Sequence, residues 1–184
     1  ARRLENRLVY DQILGNPKLA DGVDLFHADH KNVAAGAASA MSLDALSGLR
    51  KLMRKQTDRD GHVLNIGPSF LLVGSDLETQ AYQFTSPNYS PTEPGAVNEF
   101  RSGGRTALTP VVEPLLDAAS ATAFYLLANS AQVDTVEFAY VDGYEGLRTE
   151  TFASEDVDGI KLRATLDFAA KVMDYRGMAK SAGV

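Results

Sequence analysis

The sequence predicts an α+β fold. Three observations carry that prediction. Helix-period patterns lie in the first half, at 1–14, from Ser42 through Lys55 and from Ser75 to about Phe84. Strand-period patterns dominate the second half. Strands and helices alternate too little for a doubly wound parallel sheet.

The first helix carries Leu4, Leu8, Val9, Tyr10, Ile13 and Leu14, which do not form one tidy stripe. A helix apolar on several sides is expected to meet several partners. Gly15-Asn16-Pro17 stops it, with proline just past the end. The stretch 18–40 has little periodicity. Ser42 is a good N-cap for the second helix, and Asp44 sits in its first turn. Leu43, Leu46, Leu49, Leu52 and Met53 recur at spacings of three and four, which makes one core-facing stripe. Val63–Ile66 and Phe70–Val73 read as short buried strands. Ser75-Asp76-Leu77-Glu78 has the capping-box pattern for a third helix.

Residues 86–109 form a long loop rich in proline and glycine; such loops are functional sites or plain surface segments. Val111-Val112 and Phe124–Leu127 read as strands. Val136, Phe138 and Tyr140 alternate with Thr135, Glu137 and Ala139, as in a half-buried strand. Asp142-Gly143 signals a hairpin turn, with 148–152 returning. From Ile160 apolar and polar residues alternate to Val172. A strand taken to Tyr175 at ~3.3 Å per residue runs about 50 Å, against a usual ~17–20 Å. A helix fits part of it too, through Leu162, Leu166, Ala169 and Met173. A strand that long suits an elongated protein that reaches toward neighbours.

Composition narrows the function. The chain has 184 residues, 45% of them apolar, which fits one domain or two small ones. No apolar run reaches the ~20 residues of a membrane helix, so no membrane partner is expected. No cysteine is present, which excludes a thiol nucleophile and thiolate zinc. The net charge of -6 lacks the basic balance of a folded nucleic-acid binder, and no sequence-specific nucleic-acid binding is expected.

No strong catalytic motif occurs. The sequence lacks a G-x-S-x-G elbow, a P-loop and a G-x-G-x-x-G turn. Ser102-Gly103-Gly104-Arg105 follows no clear strand and opens no helix. His27, Asp29 and His30 are the best metal-ligand candidates. They fall short of the three-ligand set of a catalytic zinc unless His62 joins them. Their alternative role is to hydrogen-bond the backbone of an irregular connection. Asp58-Arg59-Asp60-Gly61 and Glu155-Asp156-Val157-Asp158-Gly159 resemble halves of a calcium loop, but turn chemistry explains them better. Arg50, Lys51, Arg54, Lys55 and Arg59 are a basic cluster near a helix end, where cations suit the dipole. The absence of a catalytic set favours an assembly protein over an enzyme, with no cofactor.

Several runs resemble the Mu-like phage major head subunit family. They are 19–32, from Leu19-Ala20-Asp21-Gly22 to His30-Lys31-Asn32; Leu64-Asn65-Ile66-Gly67-Pro68 with the strand after it; Ala123-Phe124-Tyr125-Leu126-Leu127; Val133-Asp134-Thr135-Val136-Glu137; Asp156-Val157-Asp158-Gly159-Ile160-Lys161; and Asp167–Lys171 with Asp174-Tyr175-Arg176-Gly177. The resemblance covers nearly the whole chain in the right order. It implies the Hong Kong 97 fold: 1–30 as the end of the spine helix and its connection, 31–132 as the axial (A) domain, and 133–184 as the peripheral (P) domain strands. The family's N-terminal arm and E-loop have no counterpart here, so the chain is expected to be the C-terminal portion of a longer capsid protein.

The implied function is a structural subunit of a tailed-phage or prophage capsid. It would self-assemble into pentamers and hexamers in the host cytoplasm and end in the virion. Portal or scaffold proteins of the same phage are further implied partners. The contact candidates are Pro87, Tyr89, Pro91, Pro94, Phe100, Arg101 and Arg105, on the long loop near a capsomer axis. Two other functions stay open at the level of sequence. One is a metal-dependent hydrolase using His27, Asp29 and His30. The other is a monomeric module that binds a partner through the loop.

Overall fold

The computed structural model of the chain describes residues 1–88, 98–104, 106–153 and 159–184. Helix α1 spans Arg2–Leu14. It stops where expected: the Gly15 N–H donates to Asp11 O, and Asn16 takes a left-handed φ of 46°. The expectation of several partners is met at its C-terminal end, where Ile13 is buried and Tyr10 and Leu14 pack beside it. Leu4 is exposed.

An irregular connection leads to β1 (Val33–Ala34) and then to α2 (Leu43–Arg54). Ser42 caps α2 as the sequence predicts: its Oγ accepts from the Ala45 N–H at 3.1 Å. Ser42→Ala is expected to cost about 1 kcal/mol, read as a small drop in denaturation midpoint with an unchanged slope. Leu46, Leu49 and Met53 are buried, and Leu43 and Leu52 pack beside them, so the predicted stripe does face the core.

Residues 63–66 are not the strand the sequence suggested. Val63 makes one isolated bridge to Thr57 and is exposed, as is Leu64; Ile66 alone is buried. Strand β2 follows at Pro68–Val73, then α3 at Glu78–Thr85. The capping box is corrected too. A 3-10 turn at Ser75–Leu77 precedes α3, and no side chain caps it. The Ser75 N–H instead donates to Asp117 Oδ1 at 2.8 Å, so a tertiary contact replaces the local one.

Strands β3 (Thr109–Val112) and β4 (Phe124–Ala128) complete the middle of the chain. Beyond them lie β5 (Val136–Tyr140), β6 (Leu147–Ala153), β7 (Ile160–Leu166), β8 (Phe168–Val172) and β9 (Met178–Ser181). One five-stranded sheet has the order β1-β9-β4-β2-β3, with β4 antiparallel to β2 and β9 and the outer pairs parallel.

The sheet is buried on both faces. Leu71, Val73, Phe124, Leu126 and Ala179 pack with α2 and α3. Leu72, Tyr125 and Met178 alternate to the other face and pack with Ile13, Leu25 and Phe26. This is why residues 70–73 of β2 read Phe-Leu-Leu-Val without a polar residue: a strand covered on both sides has no wet face.

The last third builds an arm. The sequence expected 148–152 to fold back on β5 after Asp142-Gly143. The structure differs: β6 runs onward and pairs with β7, from Leu147↔Leu166 to Ala153↔Ile160. β5 pairs with β8, from Val136↔Val172 to Tyr140↔Phe168. Residues 141–146 therefore bulge opposite Asp167 alone. Gly143 and Gly146 supply the left-handed backbone at φ 75° and 82° that this excursion needs. Arg148 fixes it: its guanidinium lies 3.9 Å from the Tyr144 ring centroid and its Nη2 donates to Asp167 at 2.9 Å. The segment with two competing patterns is thus strand in both halves, broken at Asp167. It covers about 43 Å at ~3.3 Å per residue.

Candidate assembly surfaces

The structure does not bring His27, Asp29 and His30 together as a three-ligand set. His30 is buried. Its Nδ1 sits 3.1 Å from Leu25 O, an acceptor, and its Nε2 sits 2.8 Å from Asp21 Oδ2. Its ring stacks on Tyr175 at 3.7 Å. Both nitrogens are therefore committed. His27 is exposed, and its Nδ1 accepts from the Asp29 N–H at 3.2 Å. The imidazoles serve the connection, as the alternative role anticipated. Asn32 is fully buried and spans the same loop, donating to Leu25 O at 2.8 Å and accepting from the His27 N–H. Gln56 Nε2 donates to His30 O at 2.9 Å, which ties the connection to the residues after α2.

The Asp21 carboxyl is held below its ordinary value, first by the Val23 N–H and then by His30. Asp58 is held low in the same way, chiefly by the His62 N–H. A carboxyl with a lowered folded pKa stabilises the fold above its unfolded value near 3.8, and that stability is lost as pH falls through the lowered value. Acid unfolding of Asp21→Asn is therefore expected to depend less steeply on pH below about 4 than that of the wild type. Circular dichroism across an acid series measures it.

Among the described residues, Asp58, Asp60 and His62 bring three potential ligand atoms within 4.8 Å of one another. Asp58 Oδ1 accepts from the backbone of Asp60 and His62, which is turn chemistry, as the sequence suggested.

The long loop is stapled to α2 at its base. Arg50 pairs with Glu99, donates to Thr106 Oγ1 at 3.1 Å and lies 5.0 Å over the Phe100 ring. Arg50 is thus an internal clamp, while Lys51 and Lys55 are exposed near the helix end. Phe100 was expected at a subunit contact. It is 3% exposed and belongs to the core beneath α2, because an aromatic ring under an arginine clamp is already covered. Pro87 and Arg101 are exposed. Tyr89, Pro91, Pro94 and Arg105 lie outside the described residues, as does most of the 155–159 turn.

The arm carries a surface that sequence reasoning did not place among the contact residues. On β6 and β7 the pairs Leu147↔Leu166, Thr149↔Ala164, Thr151↔Leu162 and Ala153↔Ile160 share one face. The opposite face holds Arg148↔Thr165, Glu150↔Arg163 and Phe152↔Lys161. On the apolar face Ile160 is 76% exposed, Leu162 71% and Leu147 51%. A two-stranded ribbon is marginal in water by itself, so this face needs a cover. The signal was in the sequence as the alternation from Ile160; what it lacked was the identity of the pairing strand.

The chain matches the model of the phage capsid protein family over residues 1–181. No curated protein matches it. Among solved structures, a protein of Mycobacterium phage Che8 is similar at 16% identity and a TM-score of 0.50, with 84% of this chain and 54% of that one covered. The holo-SrpI encapsulin complex from Synechococcus elongatus is similar at 12% identity and a TM-score of 0.51, with 97% and 62% covered. The chain therefore spans between half and two thirds of the length of these two structures. Among the described residues no helix is long and apolar enough to cross a membrane. The mixed five-stranded sheet, the projecting ribbon and the family match agree: the chain belongs to the phage capsid protein family and has its Hong Kong 97-like α+β fold.

Proposed function

We propose that this protein is a structural capsid subunit that packs with copies of itself into a closed shell in the virion, and that it performs no catalysis. The observation that carries this is the uncovered apolar face of the β6–β7 ribbon, set on an arm about 43 Å long. Identical subunits that meet head to tail close into rings and shells when each contact turns by a fixed angle, and a stiff arm can set such an angle. The family match over residues 1–181 supports the same reading.

Within it, residues 1–30 act as the end of the spine helix, 31–132 as the axial domain and 133–184 as the peripheral strands. One refinement is that β9 pairs with β1 and β4 in the main sheet. Pro87 and Arg101, with Tyr89, Pro91, Pro94 and Arg105 from the same loop, would contact neighbours near a capsomer axis. Assembly would take place in the host cytoplasm, with portal or scaffold proteins as further partners. The hydrolase reading loses its ligand set, because Leu25 and Asp21 take up His30.

Electron microscopy of the protein, with light scattering beside it, tests the proposal. Rings or shells are the expected result. A monodisperse monomer at high concentration and across salt overturns it and restores the monomeric binding module.

A further inference from the structure

Helix α2 concentrates positive charge on a chain whose net charge is -6. Arg50, Lys51, Arg54 and Lys55 line an open groove of about 560 Å³ along its outer side, with Ser47 and Gly48. The acidic residue in that lining is Asp44, in the first turn, ~15 Å along the axis from Arg54 at ~1.5 Å per residue. Glu99 takes up Arg50, and Arg54 meets a neutral partner, Asn65 Oδ1, at 2.6 Å. Lys51 and Lys55 are exposed, and their amines make no hydrogen bond or ion pair among the described residues.

Folding alone does not call for this arrangement. A helix dipole favours a cation in the last turn, but the benefit is confined to that turn. Against it, Arg50 with Arg54 and Lys51 with Lys55 are like charges four residues apart, a spacing that destabilises a helix. Gly48 adds a further cost, because glycine in mid-helix is less favourable than alanine. A Cβ at Gly48 would meet nothing within 4 Å, so no packing inside the subunit excludes a larger side chain there. The glycine leaves bare backbone in the groove beside the cations.

We propose that this face of α2 binds the phosphate backbone of a nucleic acid enclosed by the shell, without reading its sequence. The inference rests on the self-assembly proposed above, which supplies the enclosure. Three points favour a nucleic acid over a carboxylate of a neighbouring copy. Lys51, Arg54 and Lys55 lie within ~6 Å of one another along the helix axis. A duplex carries one charge per ~1.7 Å of its axis, so a single segment meets all three, whereas one carboxylate meets one or two. The two unpaired cations are lysines, compact charges on flexible stems that follow a backbone; a fixed carboxylate suits the rigid fork of an arginine. No aromatic side chain lines the groove, so no base stacks there and the contacts go to phosphate alone.

The test compares assembled particles that hold nucleic acid with particles emptied of it, using a small amine-acetylating reagent and mass spectrometry. Lys51 and Lys55 are expected to be acetylated at least about threefold less in filled particles, while the exposed Lys18 reacts equally in both. Dissociated subunits are expected to bind a short DNA duplex of arbitrary sequence, with log K falling linearly in log salt. Lys51→Gln with Lys55→Gln should reduce that slope by about 2. Arg2→Gln with Arg3→Gln removes the same charge from α1 and should leave the slope unchanged. The melting temperature of the Lys51 and Lys55 double variant should not fall, since a like-charge pair is removed. Equal protection of the two lysines in filled and emptied particles assigns the groove to another copy and overturns the inference. So do equal reactivity in both, a wild type that binds no duplex at low salt, and an equal loss of slope in the α1 control. Each of these leaves the shell function standing. If the wild type forms no particles, the function proposed above fails, and this inference falls with it.

Discussion

Replacing Ile160 and Leu162 together by threonine is expected to cut the particle yield of the protein at least about tenfold, with the subunit itself still folded. Both side chains lie on the apolar face of the ribbon and are more than two-thirds exposed. Burying one such side chain in a contact is worth ~1.5–3 kcal/mol. Losing even half of that at two positions exceeds the ~1.4 kcal/mol of a tenfold change. Threonine is chosen because it keeps the β-branched shape that strands favour, so the ribbon is retained. Substitutions at exposed sites change stability by about 0.5 kcal/mol, which moves the melting temperature of a chain this size by roughly 2 °C. Sedimentation velocity reads the yield, and thermal circular dichroism reads the fold. An intact particle peak in the double variant would show that this face is not a contact. The control is Lys161→Thr with Arg163→Thr on the charged face, where a smaller loss is expected.

Phe124→Ala is expected to lower the melting temperature by roughly 6–20 °C, from a loss of ~3–5 kcal/mol. Phe124 is fully buried in the middle of the sheet, among Leu46, Leu49, Leu71 and Val73 of the α2-side core. Against a total stability of ~5–15 kcal/mol this is a large fraction. The informative comparison is Phe138→Ala, which removes the same ring from the arm. Phe138 is 63% exposed and its ring contacts are to Tyr140 and Phe168, 6.1 and 5.9 Å between centroids. Two such ring pairs are together worth ~1–3 kcal/mol, so a shift of about 2–12 °C, smaller than that of Phe124→Ala, is expected there. Equal losses at both positions would mean that the arm and the sheet unfold as one unit with a shared core.

These two sites also separate what was legible in the chain from what was not. The stripe Leu46, Leu49 and Met53 and the cap at Ser42 are local features, with partners within one or two helical turns. The patterns announce them without knowledge of anything distant. The run Phe124–Leu127 announces a buried strand by being apolar throughout. Ser75 shows the limit. Its capping-box pattern is locally sound, but Asp117, forty-two residues on, captures its N–H. Phe100 shows the same limit from the other side. In a proline- and glycine-rich loop an aromatic ring reads as a contact residue, and only the approach of Arg50 from α2 makes it part of the core.

By itself the sequence determined the α+β class, the three helices, most strands, the lack of a thiol site and the family. Each rests on periodicity, composition or residue order along the chain. The tertiary structure alone decided which strands pair. The hairpin signal Asp142-Gly143 became a bulge because β6 finds β7, and no local pattern encodes a partner. It also decided that His30 belongs to Asp21, Leu25 and Tyr175 rather than to a metal, and that the apolar half of the ribbon faces outward. Alternation gives each strand two faces, but which one is wet depends on what the rest of the chain, or another copy of it, lays against it.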